Sequence, residues 1–160
     1  MADVIVSKEA SLKLMIERER AKYPDVQSLI IDALHFVNGR DGYIARDSVT
    51  QIAELTGVTP ARVWGVATFY TMFNRRPVGK YFIQVCTNIS CSLRGGYAVV
   101  RHLEEKLKIR VGETTADKKF TLTEVECLGA CGTAPVVQIN DEYYENVDAA
   151  RIDAILAGLE

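Results

Sequence analysis

Two hydrophobic patterns divide the chain. Up to about residue 76, apolar positions recur every three or four residues, the period of helices that bury one face. A first helix is predicted from Ser7 to about Tyr23. Pro24 suits the first position of a second helix, on which Val26, Leu29, Ile30, Ala33, Leu34 and Val37 share one face. Asn38-Gly39 reads as its stop. A third helix takes Asp47 as cap and ends at Gly57. A fourth takes Thr59 as N-cap and Pro60 as first residue, and runs to about Phe73. Val63, Trp64, Val66, Ala67, Phe69, Tyr70 and Met72 make it apolar nearly all round, which predicts burial between other elements. Its aromatic stripe, Trp64, Phe69, Tyr70 and Phe73, reads first as internal core and second as a surface for a partner protein.

After a linker at Asn74 to Gly79 the pattern shortens. Tyr81 to Val85 reads as a strand ending at Cys86. Leu93, Tyr97, Val100, Leu103 and Leu107 then recur at helical spacing. Phe120 to Val125 alternates as a second strand and ends just before Cys127. Pro135 to Ile139 and Glu142 to Glu145 form a hairpin across Asn140-Asp141. Asp148 caps a last helix that carries Ile152, Ile155, Leu156 and Leu159 on one face. The chain therefore divides into an N-terminal helical bundle, residues 1–76, and an α/β domain, residues 77–160.

That order has a chemical consequence. A strand, a crossover helix and a neighbouring parallel strand put both strand ends at one edge of the sheet. Cys86 and Cys127 each follow such an end, so two distant pairs, Cys86/Cys91 (C-x4-C) and Cys127/Cys131 (C-x3-C), converge there. These are all the cysteines of the chain. With each loop serving one iron, Cys86 and Cys91 would hold one iron of a [2Fe–2S] cluster and Cys127 and Cys131 the other. The amides of residues 87–90, 128–130 and 132 are placed to stabilise its negative charge, and Gly129 and Gly132 would let the chain turn tightly around it. Spacing alone leaves a structural zinc on four thiolates open, as well as disulfides or free buried thiols. Neither pair is the C-x-x-C of a redox-active thiol couple. No histidine lies near either pair, which argues against a Rieske-type site.

Composition narrows the classes. The chain has 160 residues, 48% hydrophobic and 25% charged, enough to bury a core without disulfides. Its net charge of −2 lacks the basic excess of a nucleic-acid binder. Residues 48–70 mimic a helix-turn-helix, yet the second helix carries Arg62 as its only charge, which leaves nothing to grip phosphates. The opening segment lacks the pattern of a signal peptide, and no stretch approaches a membrane span. His35 reads as a core or edge histidine and His102 as exposed, neither with a catalytic partner.

The wording around the cysteines carries a resemblance. Arg62 to Phe73, Pro77 to Lys80, Val85 to Cys91, Gly112 to Thr115 and Glu126 to Pro135 together resemble the small thioredoxin-like [2Fe–2S] subunit of respiratory NADH:quinone oxidoreductase, complex I. The resemblance runs from about residue 20 to the C-terminus. Lys118 departs from it, standing where the family often has glycine. It implies a thioredoxin-like [2Fe–2S] domain behind a helical bundle, with one cluster on Cys86, Cys91, Cys127 and Cys131. It also implies a flavoprotein partner that binds FMN and NADH, performs the hydride chemistry and exchanges single electrons with this chain. Other iron–sulfur subunits would sit nearby, and the complex would hold the chain on the cytoplasmic side of the inner membrane. The absence of a Gly-rich dinucleotide fingerprint agrees with that division of labour. NAD-linked hydrogenases and formate dehydrogenases share the module. Pro135 resembles the cis-proline position of thioredoxins.

Overall fold

The computed structural model describes residues 8–159, with side chains from residue 11. They form two compact units divided between Pro77 and Val78.

The first unit is helical: α1 Lys8–Glu19, α2 Leu29–Asp41, α3 Arg46–Thr56 and α4 Pro60–Phe69. Leu12, Ile30, Leu34, Ile52 and Val63 are wholly buried in one core. Each such side chain contributes about 2 kcal/mol over its exposed state. Asn74 closes the unit: its amide donates to Asn38 Oδ1 at 3.1 Å, and its side chain donates to the Gly42 carbonyl at 3.1 Å.

Several boundaries differ from expectation. Ser7, the expected start of α1, lies outside the described residues, and α1 gives way at Arg20 to a 3₁₀ turn rather than reaching Tyr23. Pro24 does not open α2. Asp25 instead caps a 3₁₀ turn, accepting from Gln27 N at 2.9 Å, and the α-helix begins at Leu29. Gly39 stays helical; the left-handed stop is Gly42, φ 79°. Ala45, not Asp47, is the N-cap of α3. Thr59 does cap α4, with Pro60 following, but the helix ends at Phe69.

The larger correction concerns α4. Only Val63 and Ala67 are buried on it, while Phe69 is 77% exposed and Met72, just beyond, 43%. Ten residues leaning on one neighbouring layer bury one stripe, whatever the chemistry of the other faces. Phe73 is buried, and His35 stacks edge-on against it at 4.9 Å as an edge histidine.

The second unit comprises β1 Tyr81–Cys86, α5 Ile89–Leu93, α6 Gly96–Leu107, β2 Phe120–Val125, β3 Val137–Ile139, β4 Glu142–Tyr144 and α7 Ala149–Ala157. The sheet order is β2-β1-β3-β4. β1 and β2 are parallel, as the crossover α6 requires; β3 and β4 run antiparallel to their neighbours. Ile83 and Leu122 from the sheet pack with Leu103 of α6 and Ile152 of α7, all wholly buried. This mixed α/β arrangement behind N-terminal helices is the expected fold class.

The expected helix across Leu93–Leu107 is two. Gly95, φ 99°, turns the chain between α5 and α6 and leaves Leu93 83% exposed. β3 begins two residues after Pro135, which has no N–H for a ladder; the Ala134–Pro135 bond is cis. Lys118 adopts φ 59°, a conformation that favours glycine. His102 is half-buried rather than exposed, with Nε2 2.7 Å from Asp153 Oδ1. Among the described residues no helix is long and apolar enough to cross a membrane.

Candidate functional site

Three chain segments meet at one edge of the sheet. β1 ends on Cys86 opposite Val125, the last residue of β2. β3 runs the other way and begins at this edge, with Val137 opposite Val85. Two further bonds lock the edge: Cys86 N–H donates to the Val136 carbonyl and Thr87 N–H to the Val125 carbonyl, each at 3.1 Å. The loop after β1 carries Cys91, and the loop between β2 and β3 carries Cys127 and Cys131.

The first loop buries its cysteines. Asn88 caps α5, its Oδ1 accepting from Ile89 N at 2.8 Å, and this short helix swings Cys91 back toward Cys86. Cys86 is 3% and Cys91 2% exposed, in an apolar pocket with Ala134 and Val136, edged by Val125, Leu128 and Ala130. Burial pushes the Cys91 thiol upward, and its hydrogen bond with Cys86 adds to this; a backbone hydrogen bond involving Val136 opposes them. The second loop lies beside the first, with Leu128 and Ala130 packed against the pocket of Cys86 and Cys91.

The second loop is open. Cys127 and Cys131 are exposed. Gly129, φ 75°, turns the chain so that its N–H donates to Cys127 Sγ at 3.3 Å. A 3₁₀ turn, Cys131–Thr133, follows.

The four predicted residues thus fall on adjoining loops at one sheet edge, all as free thiols. Among the described residues, no three Cys, His, Asp or Glu side chains gather around one point as a single metal ion would need. The donor set fits a [2Fe–2S] cluster in kind: two thiol pairs that can ionise to thiolates, an amide already aimed at a sulfur, and apolar walls around the buried pair.

The predicted amide donors are only partly free. Thr87 N–H is engaged with β2 and Ile89 N–H with the Asn88 cap. Gly132 sits inside the 3₁₀ turn with neither a left-handed φ nor a close neighbour, so nothing there requires glycine. Sequence reasoning missed Gly96. A Cβ there would lie 2.9 Å from the carbonyl oxygens of both Cys86 and Cys91, so the start of α6 rests directly on the first loop. The Gly95-Gly96 doublet was the available signal.

Comparison with known proteins places this geometry. The profile of the family described as thioredoxin-like [2Fe-2S] ferredoxin matches residues 16–160. An NADH-quinone oxidoreductase subunit of Rhizobium meliloti (strain 1021) is 47% identical over 141 residues, covering 88% of this chain and 84% of that protein. NADH-quinone oxidoreductase subunit 2 of Thermus thermophilus is 45% identical over 147 residues, covering 90% and 81%. Among solved structures, the NAD+-reducing [NiFe]-hydrogenase in its H2-reduced state superposes with a TM-score of 0.72 at 25% identity. That match covers 82% of this chain but 22% of the hydrogenase chain.

Proposed function

The chain belongs to the thioredoxin-like [2Fe–2S] ferredoxin family, and from that premise we propose that it is the electron-transfer subunit of an NADH:quinone oxidoreductase, with Cys86, Cys91, Cys127 and Cys131 as its iron ligands. The observation that carries the reading is the meeting of both cysteine loops at one sheet edge in a chain 47% identical to a subunit of such a complex. When bound, one [2Fe–2S] cluster supplies a one-electron carrier. The protein's residues do the rest. Cys86 and Cys91 would hold one iron and Cys127 and Cys131 the other, the first pair buried and the second exposed. Gly129 N–H offsets charge on the Cys127 sulfur, and Val136 and Ala134 keep water from the buried pair.

The chain acts as part of an oxidoreductase and leaves hydride chemistry to a flavoprotein partner that binds NADH and FMN. Ile89 and Leu93 support a partner at this edge. They stand one turn apart on α5, 74% and 83% exposed, while Cys91 between them points inward. The cluster-bearing domain, residues 77–160, and the helical domain, residues 1–76, are both held in the complex, peripheral to the inner membrane on its cytoplasmic side. Other iron–sulfur subunits complete the electron path.

The test is a spectrum and a co-purification. Purified protein should be coloured, and reduction should give a one-electron [2Fe–2S] EPR signal, with the FMN-containing subunit co-purifying. Colourless protein loaded with zinc would overturn the reading. The hydrogenase likeness favours one second reading, an equivalent subunit of an NAD-linked hydrogenase or formate dehydrogenase. The same co-purification decides it through the identity of the flavoprotein's companions.

A further inference from the structure

Two hollows adjoin on the helical unit, at the N-terminal ends of α3 and α4. One, of about 320 Å³, is lined by Val49, Thr50, Pro60 and Ala61 together with Arg46 and Trp64. The other, of about 520 Å³, has Tyr43, Ala45, Arg75 and Arg76 on its walls, again with Arg46 and Trp64. The shared pair makes them two ends of one groove, one end apolar and the other rimmed by three guanidinium groups.

The charge of that rim is uncompensated. No acidic residue lines either hollow. Arg46, Arg75 and Arg76 are exposed, and none is in an ion pair among the described residues, whereas Arg18, Arg40 and Arg110 each face a carboxylate. The positive end of α3 adds the same sign, since Ala45 supplies no side-chain cap; Asp47 in its first turn lies outside the lining. The chain as a whole carries −2, so this groove reverses the overall charge locally.

We propose that this groove docks an acidic segment of a partner chain, carboxylates seated against Arg46, Arg75 and Arg76 and a neighbouring aliphatic side chain packed on Trp64, Val49 and Pro60. Guanidinium forks match carboxylates two bonds at a time. Trp and Arg are also the side chains that most often anchor interfaces. The partner's identity, the flavoprotein subunit, rests on the function proposed above; the chemistry of the ligand does not.

Trp64 is the only tryptophan of the chain, so its fluorescence reads the groove directly. The purified protein is titrated with a capped pentapeptide of four glutamates around a central leucine. The same peptide with glutamines, ATP and inorganic phosphate serve as comparators. The acidic peptide should shift Trp64 emission saturably and bind more weakly as salt rises. Arg75→Gln/Arg76→Gln should weaken it about tenfold or more, while Arg75→Lys/Arg76→Lys retains more of the affinity. No shift, or an equal shift with the glutamine peptide, overturns the proposal. Saturation by ATP or phosphate without response to the acidic peptide overturns it in favour of a phosphate site. In the assembled complex, Arg46→Glu/Arg75→Glu/Arg76→Glu should lower recovery of the flavoprotein and leave the visible absorption of the chain unchanged. Full recovery overturns the partner assignment. Loss of the function proposed above would show separately, as wild-type protein without cluster absorption.

Discussion

The two cysteine loops present the same donor atoms in opposite settings. The first leaves a strand, is capped at once by Asn88, and buries both sulfurs under Val136. The second leaves its strand with both sulfurs exposed, shaped by one left-handed glycine and a 3₁₀ turn. One half of the site is therefore built into the fold, and the other is draped over it. The buried half is fixed in position by the core around it, whereas the open half leaves both sulfurs accessible to solvent.

The largest effect tests whether the loops share one function. Cys91→Ser and Cys127→Ser should each abolish the visible absorption of the cluster. In the cluster-free protein they should part. Cys91→Ser puts a hydroxyl into an apolar pocket and should cost about 1–3 kcal/mol by chemical denaturation. Cys127→Ser should stay within about 0.5 kcal/mol. Equal costs would erase the contrast between buried and open halves.

Gly96→Ala sharpens it next. The added methyl meets two backbone carbonyls that cannot swing aside, so about 1–3 kcal/mol of stability should be lost, with poorer cluster retention. A neutral result would mean the first loop yields more readily than its burial implies. Gly129→Ala should cost about 1 kcal/mol through its left-handed backbone, read as a melting shift. Here cluster retention should suffer more than stability, because the strained residue sits on the open loop. Asp153→Asn is the expected minimum, since it touches neither loop and its partners Lys106 and His102 are screened by water. Lys106 first and His102 second hold the Asp153 carboxyl below its usual range. Its contribution is thus present above the ordinary aspartate pKa and fades as pH falls through the depressed one. The substitution should flatten that acidic limb and leave neutral pH nearly untouched.

The strands were legible because alternation and length agree: Tyr81 to Cys86 and Phe120 to Val125 pair in parallel, as the crossover demands. The cysteine pairs were legible for the same reason, since each follows a strand end. Helix periodicity showed less. It located α4 but not which faces meet anything, so Phe69 was assigned inward although it stands in solvent. An apolar side chain reads the same in a sequence whether it fills a core or waits for a partner. Caps were missed where a 3₁₀ turn competed, as at Pro24 and Asp25, because the two openings share residue preferences. Gly96 was invisible because its demand comes from carbonyls belonging to residues five and ten positions earlier. The arginine rim escaped for a similar reason: Arg46 and Arg75 become neighbours only when the loop ends are tied by Asn74.

The antiparallel third strand has a consequence in time. A ribosome releases the chain from its N-terminus, so Cys86 and Cys91 emerge long before Val137 can pair with Val85. Pairing of β2 with β1 brings Cys127 beside Cys86 first, and β3 then closes the same edge. Before β2 emerges, the nascent polypeptide displays half of its donor atoms with no counterpart. A translation product halted at Pro135 contains every cysteine yet lacks the strand that locks the edge. The edge that carries the cysteines is accordingly closed last, by residues from the final part of the polypeptide.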